Sequence, residues 1–163
     1  MPDWQQRIDA IWADDALTDL ERIARIDALA AEAPDEAHAA FERAGARDSA
    51  GLESETEPLY RRALDLGALD LGLPEDLRAQ AVIQLASTLR NLGRVAESLE
   101  LLAAERERGG PLADAASAFY ALALASAGDP LAAASVALEA LAPHLPRYTR
   151  SVTGYARELR PPR

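Results

Sequence analysis

Three glycines, 42 and 35 residues apart, punctuate this chain in one manner. Ala44, Gly51 and Thr56, then Ala86, Gly93 and Ser98, then Ala121, Gly128 and Ala133 repeat one pattern: a small residue, a glycine seven positions on, and a small residue five further. Each glycine separates two Ala/Leu-rich stretches in which apolar residues recur at three and four positions, the helical period. Each triple therefore reads as two helices joined by a tight turn. One such pair cannot bury its own apolar face, so the units must stack on one another. No segment alternates with a period of two, so an all-α chain without strands is expected.

Local signals place the helices. Trp4, Ile8, Ile11 and Trp12 share one face of an opening helix over about 3–13. Thr18 and Glu21 have capping-box spacing and start a second, with a stripe of Leu20, Ile23, Ile26 and Leu29/Ala30 that Pro34 ends. Asp35 caps a third running to about Ala50. Ser54 and Glu57 form a second capping box, with Pro58 near the first turn of a helix stopping at Gly67. Residues 67–76 interrupt the pattern. Pro74 then opens a helix with Leu77, Ala81, Leu85, Ala86, Leu89 and Leu92 inward and Gly93 as its stop. Helices follow at about 95–107, 112–127 and 130–142, the last begun by Asp129–Pro130. Leu145, Tyr148, Val152, Tyr155 and Leu159 step by three and four along a terminal helix, and Pro161-Pro162-Arg163 fray. No domain boundary or linker is visible, which predicts a single domain over 1–163.

Composition limits what such a stack can do. Alanine occurs 37 times, giving strong helix propensity and close helix approach but little buried area per residue. All 17 basic residues are arginine, and the formal charge is −10. Phosphate affinity needs clustered cations, so nucleic-acid binding is not expected. Residues 1–80 carry a net −11, residues 81–163 a net +1, and segment 143–163 alone a net +4. Such polarity either orients a partner or a second copy, or is a solvated surface of uneven charge. The start MPDWQQRID has no apolar signal core, and Ala115–Gly128 is too short to span a bilayer, so a soluble cytoplasmic protein without membrane contact is expected.

The triples resemble the tetratricopeptide repeat family, in which small side chains mark the places where helix backbones cross nearest. The gap from Ala86 to Ala121, 35 residues, is close to the family period of about 34; that from Ala44 to Ala86 is 42, lengthened by the 67–76 interruption. Glu105 stands where alanine is usual, and Arg43 and Arg47 where repeat one is normally apolar, on an exposed or partner-facing edge. The strings FERAGARDSAGLESETEPLYRRAL, QLASTLRNLGR and APHLPRYTRSVTGYA are similar to small stand-alone bacterial members. The resemblance implies a right-handed superhelical stack of antiparallel helix pairs, about eight helices with a C-terminal capping helix. Its repeats would lie at 37–68, 77–110 and 112–143, after N-terminal helices within 3–33 and before a cap helix at 146–160. It also implies a homodimer and no assigned chemistry.

In repeats of this type the first helices line a concave groove. By that analogy repeat one offers His38, Phe41, Glu42, Gly45, Asp48 and Ser49. Repeat two offers Gln80, Ile83, Gln84, Ser87, Arg90 and Asn91, and repeat three Ala115, Ala118, Phe119, Leu122 and Ser126. Arg90 with Asn91 either holds a carboxylate or backbone segment, or Arg90 bridges Glu42 or Asp48 and staples the stack. The seam Tyr148, Val152, Tyr155 and Leu159 either caps repeat three or pairs with its twin in a dimer. Trp4 and Trp12 anchor a core or an interface.

Catalytic and metal chemistry find no support. Zero cysteines exclude thiol nucleophiles and thiolate sites, and His38 and His144 lack companions at metal-ligand spacing. Asp35-Glu36-Ala37-His38 spells a helicase box without the strand and phosphate loop that box requires. No cofactor is expected. The reading is a non-enzymatic protein–protein interaction module that presents its groove to a protein or peptide. The alternative is a regulator binding a peptide or small carboxylate near Arg90 and Asn91.

Overall fold

The structure is a computed structural model that describes residues 3–66 and 72–160. The core of the expected interruption, 67–71, and the expected frayed end, Pro161–Arg163, lie outside the described residues. Among the described residues the chain forms helices and no strand, as its periodicity requires: α1 (Trp4–Trp12), α2 (Asp19–Ala30), α3 (Glu36–Ser49), α4 (Glu53–Asp65), α5 (Glu75–Asn91), α6 (Val95–Arg108), α7 (Ala113–Ser126), α8 (Pro130–Leu141) and α9 (Thr149–Glu158).

The three turn glycines close their helices in one way. Gly51, Gly93 and Gly128 have φ of 70°, 81° and 87°, the left-handed region that favours glycine. After each, two amides fold back. Leu52 N donates to Arg47 O at 2.9 Å and Gly51 N to Asp48 O at 3.0 Å; Arg94 N donates to Leu89 O and Gly93 N to Arg90 O; Asp129 N donates to Leu124 O and Gly128 N to Ala125 O. This is the Schellman pattern, which satisfies the last carbonyls of a helix with main-chain donors alone. The small partners of each triple, Ala44, Thr56, Ala86, Ser98, Ala121 and Ala133, are all buried.

The chain divides into two compact units, Met1–Thr88 and Leu89–Arg163. In the first, α1 is capped by Asp3 and Gln6 and α2 by Thr18 and Glu21, each as a reciprocal box. Ile8, Ile26, Leu29 and Ala46 form a core against which Trp4, Ile11, Trp12 and Ile23 pack. Leu20 departs from its expected stripe and is 77% exposed. At 3.6 residues per turn it lies about 120° around α2 from Ile26, off the buried face. Asp35 caps α3 by accepting from His38 N at 2.9 Å.

The start of α4 also corrects the reading from sequence. Leu52 is its N-cap, no side chain caps it, and Ser54 lies inside the helix. The Gly51 turn leads directly into α4, so Leu52 O already receives Glu55 N and Thr56 N. Pro58 consequently sits beyond the first turn, inside the helix. Arg43 and Arg47 do not lie on a free edge. Arg47 grips the Asp27 carboxylate with both terminal nitrogens, at 3.0 and 2.9 Å, and Arg43 Nε is 3.6 Å from the same group, tying α3 to α2.

In the second unit α6 packs on α7, α7 on α8 and α8 on α9. Arg106 stacks over Tyr120, 4.6 Å from the ring centroid, and donates to Ser117 at 2.9 Å. Glu105, at the usual alanine position, is buried. Asp129 caps α8 through Ala132 N at 3.0 Å, with Pro130 in the first turn. The terminal seam splits. Ala156 is buried and Val152 and Leu159 half-buried, whereas Tyr148 and Tyr155 are 74% and 67% exposed. Tyr155 lies about 100° around the helix from Ala156, and Tyr148 precedes α9 with φ of 70°. Leu92, expected inward at the end of α5, is exposed. Among the described residues no helix is long and apolar enough to cross a membrane.

Candidate functional site

A cavity of about 420 Å³ opens in the first unit. α3 supplies one wall because its positions 41, 45, 48 and 49, with 42, recur at the helical period; these are Phe41, Gly45, Asp48, Ser49 and Glu42. α5 supplies Leu77, Gln80 and Gln84, and α1 supplies Gln5, Asp9 and Trp12. Five of the six residues expected from repeat one therefore line a single cavity, together with Gln80 and Gln84.

The other expected residues lie elsewhere. His38 turns to Asp35, with Nδ1 2.9 Å from the carboxylate, and meets Trp4 edge-on. Ile83 is buried and Ser87 half-buried. Arg90 and Asn91 belong to the second unit, where Arg90 Nη2 donates to Asn91 Oδ1 at 3.3 Å. Phe119 is half-buried on α7, as is Ala115, while Ala118, Leu122 and Ser126 are exposed. Gln5 and Asp9 escaped the reading from sequence, and Trp12, expected to anchor a core or an interface, stands in the cavity wall. Their signal was present: Gln5, Asp9 and Trp12 step by four and three along one face, next to the apolar face of Trp4, Ile8 and Ile11.

Two carboxylates in the cavity wall sit in unfavourable surroundings. Glu42 is 7% exposed, and its Oε2 accepts from Trp12 Nε1 at 2.9 Å. Burial pushes its carboxyl above the ordinary carboxylate range; the Trp12 bond opposes this, the Asp9 charge adds to it and His38 opposes it. Asp48 is raised likewise, first by burial, against a 3.4 Å bond from Thr88 Oγ1, with the Glu53 charge adding. Behind them Tyr60 is fully buried and donates to Gln84 Oε1 at 2.7 Å. Burial, then the charges of Asp48 and Glu42, raise its phenol far above the ordinary range. Tyr60 thus fixes Gln84 as an oriented amide beside the cavity.

Gly45 keeps the cavity open at its centre. A Cβ there would lie 3.4 Å from Trp12 Cζ2 and 3.9 Å from the Tyr60 hydroxyl. Trp12 is locked from behind, with the Arg22 guanidinium 5.8 Å from its ring centroid. Among the described residues no group of three or more His, Cys, Asp or Glu side chains could hold a metal ion. The wall offers aromatic surface, amides and carboxylates, and among the described residues no cation lines it.

No curated protein and no solved structure matches this chain. The model of the tetratrico peptide repeat family matches residues 37–159, more than half of the sequence. With repeated Schellman turns, buried small residues at the three pinch positions and helices throughout the described residues, the chain belongs to the tetratricopeptide repeat family.

Proposed function

We propose that this protein is a non-enzymatic interaction module whose first unit receives a segment of a partner protein in the cavity between α1, α3 and α5. The family is one of protein-interaction repeats. The observation that carries the reading is the convergence of Phe41, Glu42, Gly45, Asp48 and Ser49 with Gln80 and Gln84 on one concavity of about 420 Å³. Its repeats are assigned to 37–68, 77–110 and 112–143. The test is an array of random dodecapeptides probed with the wild type and with Gln80→Tyr, which places a bulky ring at an exposed cavity rim. Peptides that bind the wild type should lose at least about tenfold in affinity to the variant at an unchanged melting temperature. Binding that ignores this substitution overturns the reading.

The same protein is proposed to form a homodimer through α9. Tyr148 and Tyr155 leave large apolar surface exposed there, and segment 143–163 carries a net +4 against the acidic first half. Size exclusion with light scattering should give twice the 17.4 kDa chain mass, and Tyr148→Ser with Tyr155→Ser should give the monomer. A wild type that is monomeric at high concentration removes the dimer.

A further inference from the structure

We propose that the cavity of the first unit is a receptor for a cationic side chain, the guanidinium of arginine or the ammonium of lysine, presented by a basic segment of the partner protein. This rests on the interaction reading above and names the chemistry the site selects. Three carboxylates from two helices meet at the cavity: Asp9 from α1, and Glu42 and Asp48 from α3. Among the described residues no arginine or histidine lines it.

The decisive group is Glu42. Its residue is more than nine-tenths buried, and Oε2 is fixed by the Trp12 indole. Its second oxygen, Oε1, accepts no hydrogen bond among the described residues. This oxygen is not sealed from solvent, so a donor entering the cavity can reach it, and a forked or multiple N–H donor suits a carboxylate best. The terminal nitrogens of Arg22 and the ring of His38 are engaged elsewhere. Arg22 donates to Asp14 O at 3.2 Å behind the Trp12 ring, and His38 is held by Asp35.

The remaining walls suit the stem and rim of such a side chain. Phe41, Trp12 and Leu77 offer apolar surface to the methylenes, and aromatic rings also attract a cation. Gln5 and Gln80 offer amide oxygens to further N–H donors, while the Gln84 oxygen already accepts from Tyr60. An anionic side chain would find no donor of opposite charge there. It would face Asp9, Glu42 and Asp48 instead.

The two indole N–H groups provide an internal reporter. Trp12 donates to Glu42 in the cavity wall, while Trp4 donates to Leu29 O at 2.9 Å and does not line the cavity. The full chain, labelled with nitrogen-15, is titrated with acetyl-Ala-Ala-Arg-Ala-Ala-amide and its lysine, citrulline and glutamate versions. The arginine and lysine peptides should shift the Trp12 indole signal saturably and leave that of Trp4 in place. The citrulline peptide, equal in shape but neutral, should bind at least about tenfold more weakly, and added salt should weaken the cationic peptides. Glu42→Gln should remain folded and lose at least about tenfold in affinity for the arginine peptide.

Equal binding of the citrulline or glutamate peptide, undiminished binding by Glu42→Gln, or no response to any of the four overturns the proposal. Failure of the wider reading looks different. If dodecapeptides without arginine or lysine bind and respond to Gln80→Tyr, the interaction module stands and only its selectivity for cations falls.

Discussion

Burial raises the proton affinity of Glu42 and Asp48, and this couples their titration to folding with a definite sign. The native state holds these protons more tightly than the unfolded chain. The resulting stabilisation is complete below the ordinary carboxylate range and is lost as pH rises through the native values. Glu42→Gln keeps an acceptor for the Trp12 indole and removes the buried charge. Its melting temperature should match the wild type near pH 4 and exceed it by roughly 2–4 °C at pH 7; a difference that does not grow with pH contradicts the assignment. Gly45 makes a second case. It sits inside α3, where glycine is about 0.5–1 kcal/mol less favourable than alanine, and a Cβ would meet Trp12 at ordinary contact distance. Gly45→Ala should therefore stabilise the fold by about that amount in urea titration while narrowing the cavity. The family resemblance implied that Glu42 and Asp48 share the groove face of α3. It could not give their titration, which depends on walls contributed by α1 and on donors thirty and forty residues distant, Trp12 and Thr88.

Helix joints obey local rules, and local rules are legible. Asp129–Pro130, Thr18–Glu21 and the three turn glycines all act where their residue types direct. Where the reading failed, a neighbouring element had already set the geometry: the Gly51 turn starts α4 before Ser54 can cap it. The glycines are held by conformation and not by space, since nothing lies within 4 Å of a Cβ built at Gly93. Gly93→Ala should cost about 1 kcal/mol, and Gly93→Asn less, since asparagine tolerates the left-handed region. Equal losses for the two would point to crowding instead. Asp129→Ala should cost about 1 kcal/mol through the lost cap on α8, read as a lower urea midpoint at unchanged slope.

Charge is distributed over the whole molecule with a strong bias. The first unit, Met1–Thr88, contains 19 acidic residues and 8 arginines; the remainder contains 8 acidic residues and 9 arginines. Ion pairs such as Arg47 with Asp27 and Arg7 with Glu32 absorb part of the excess in the first unit. The rest is self-repulsion that salt relieves. Raising sodium chloride from about 20 to 300 mM should raise the protection of α1–α4 amides in hydrogen exchange more than that of α6–α8. The joints described above have a separate consequence for how such a molecule can change. Because Gly51, Gly93 and Gly128 are sealed by main-chain atoms alone, the rods on either side are free to vary without disturbing the hinge pins. A chain built this way behaves like a string of interchangeable cassettes, in which a surface such as the one around Glu42 can be rewritten while the couplings stay as they are.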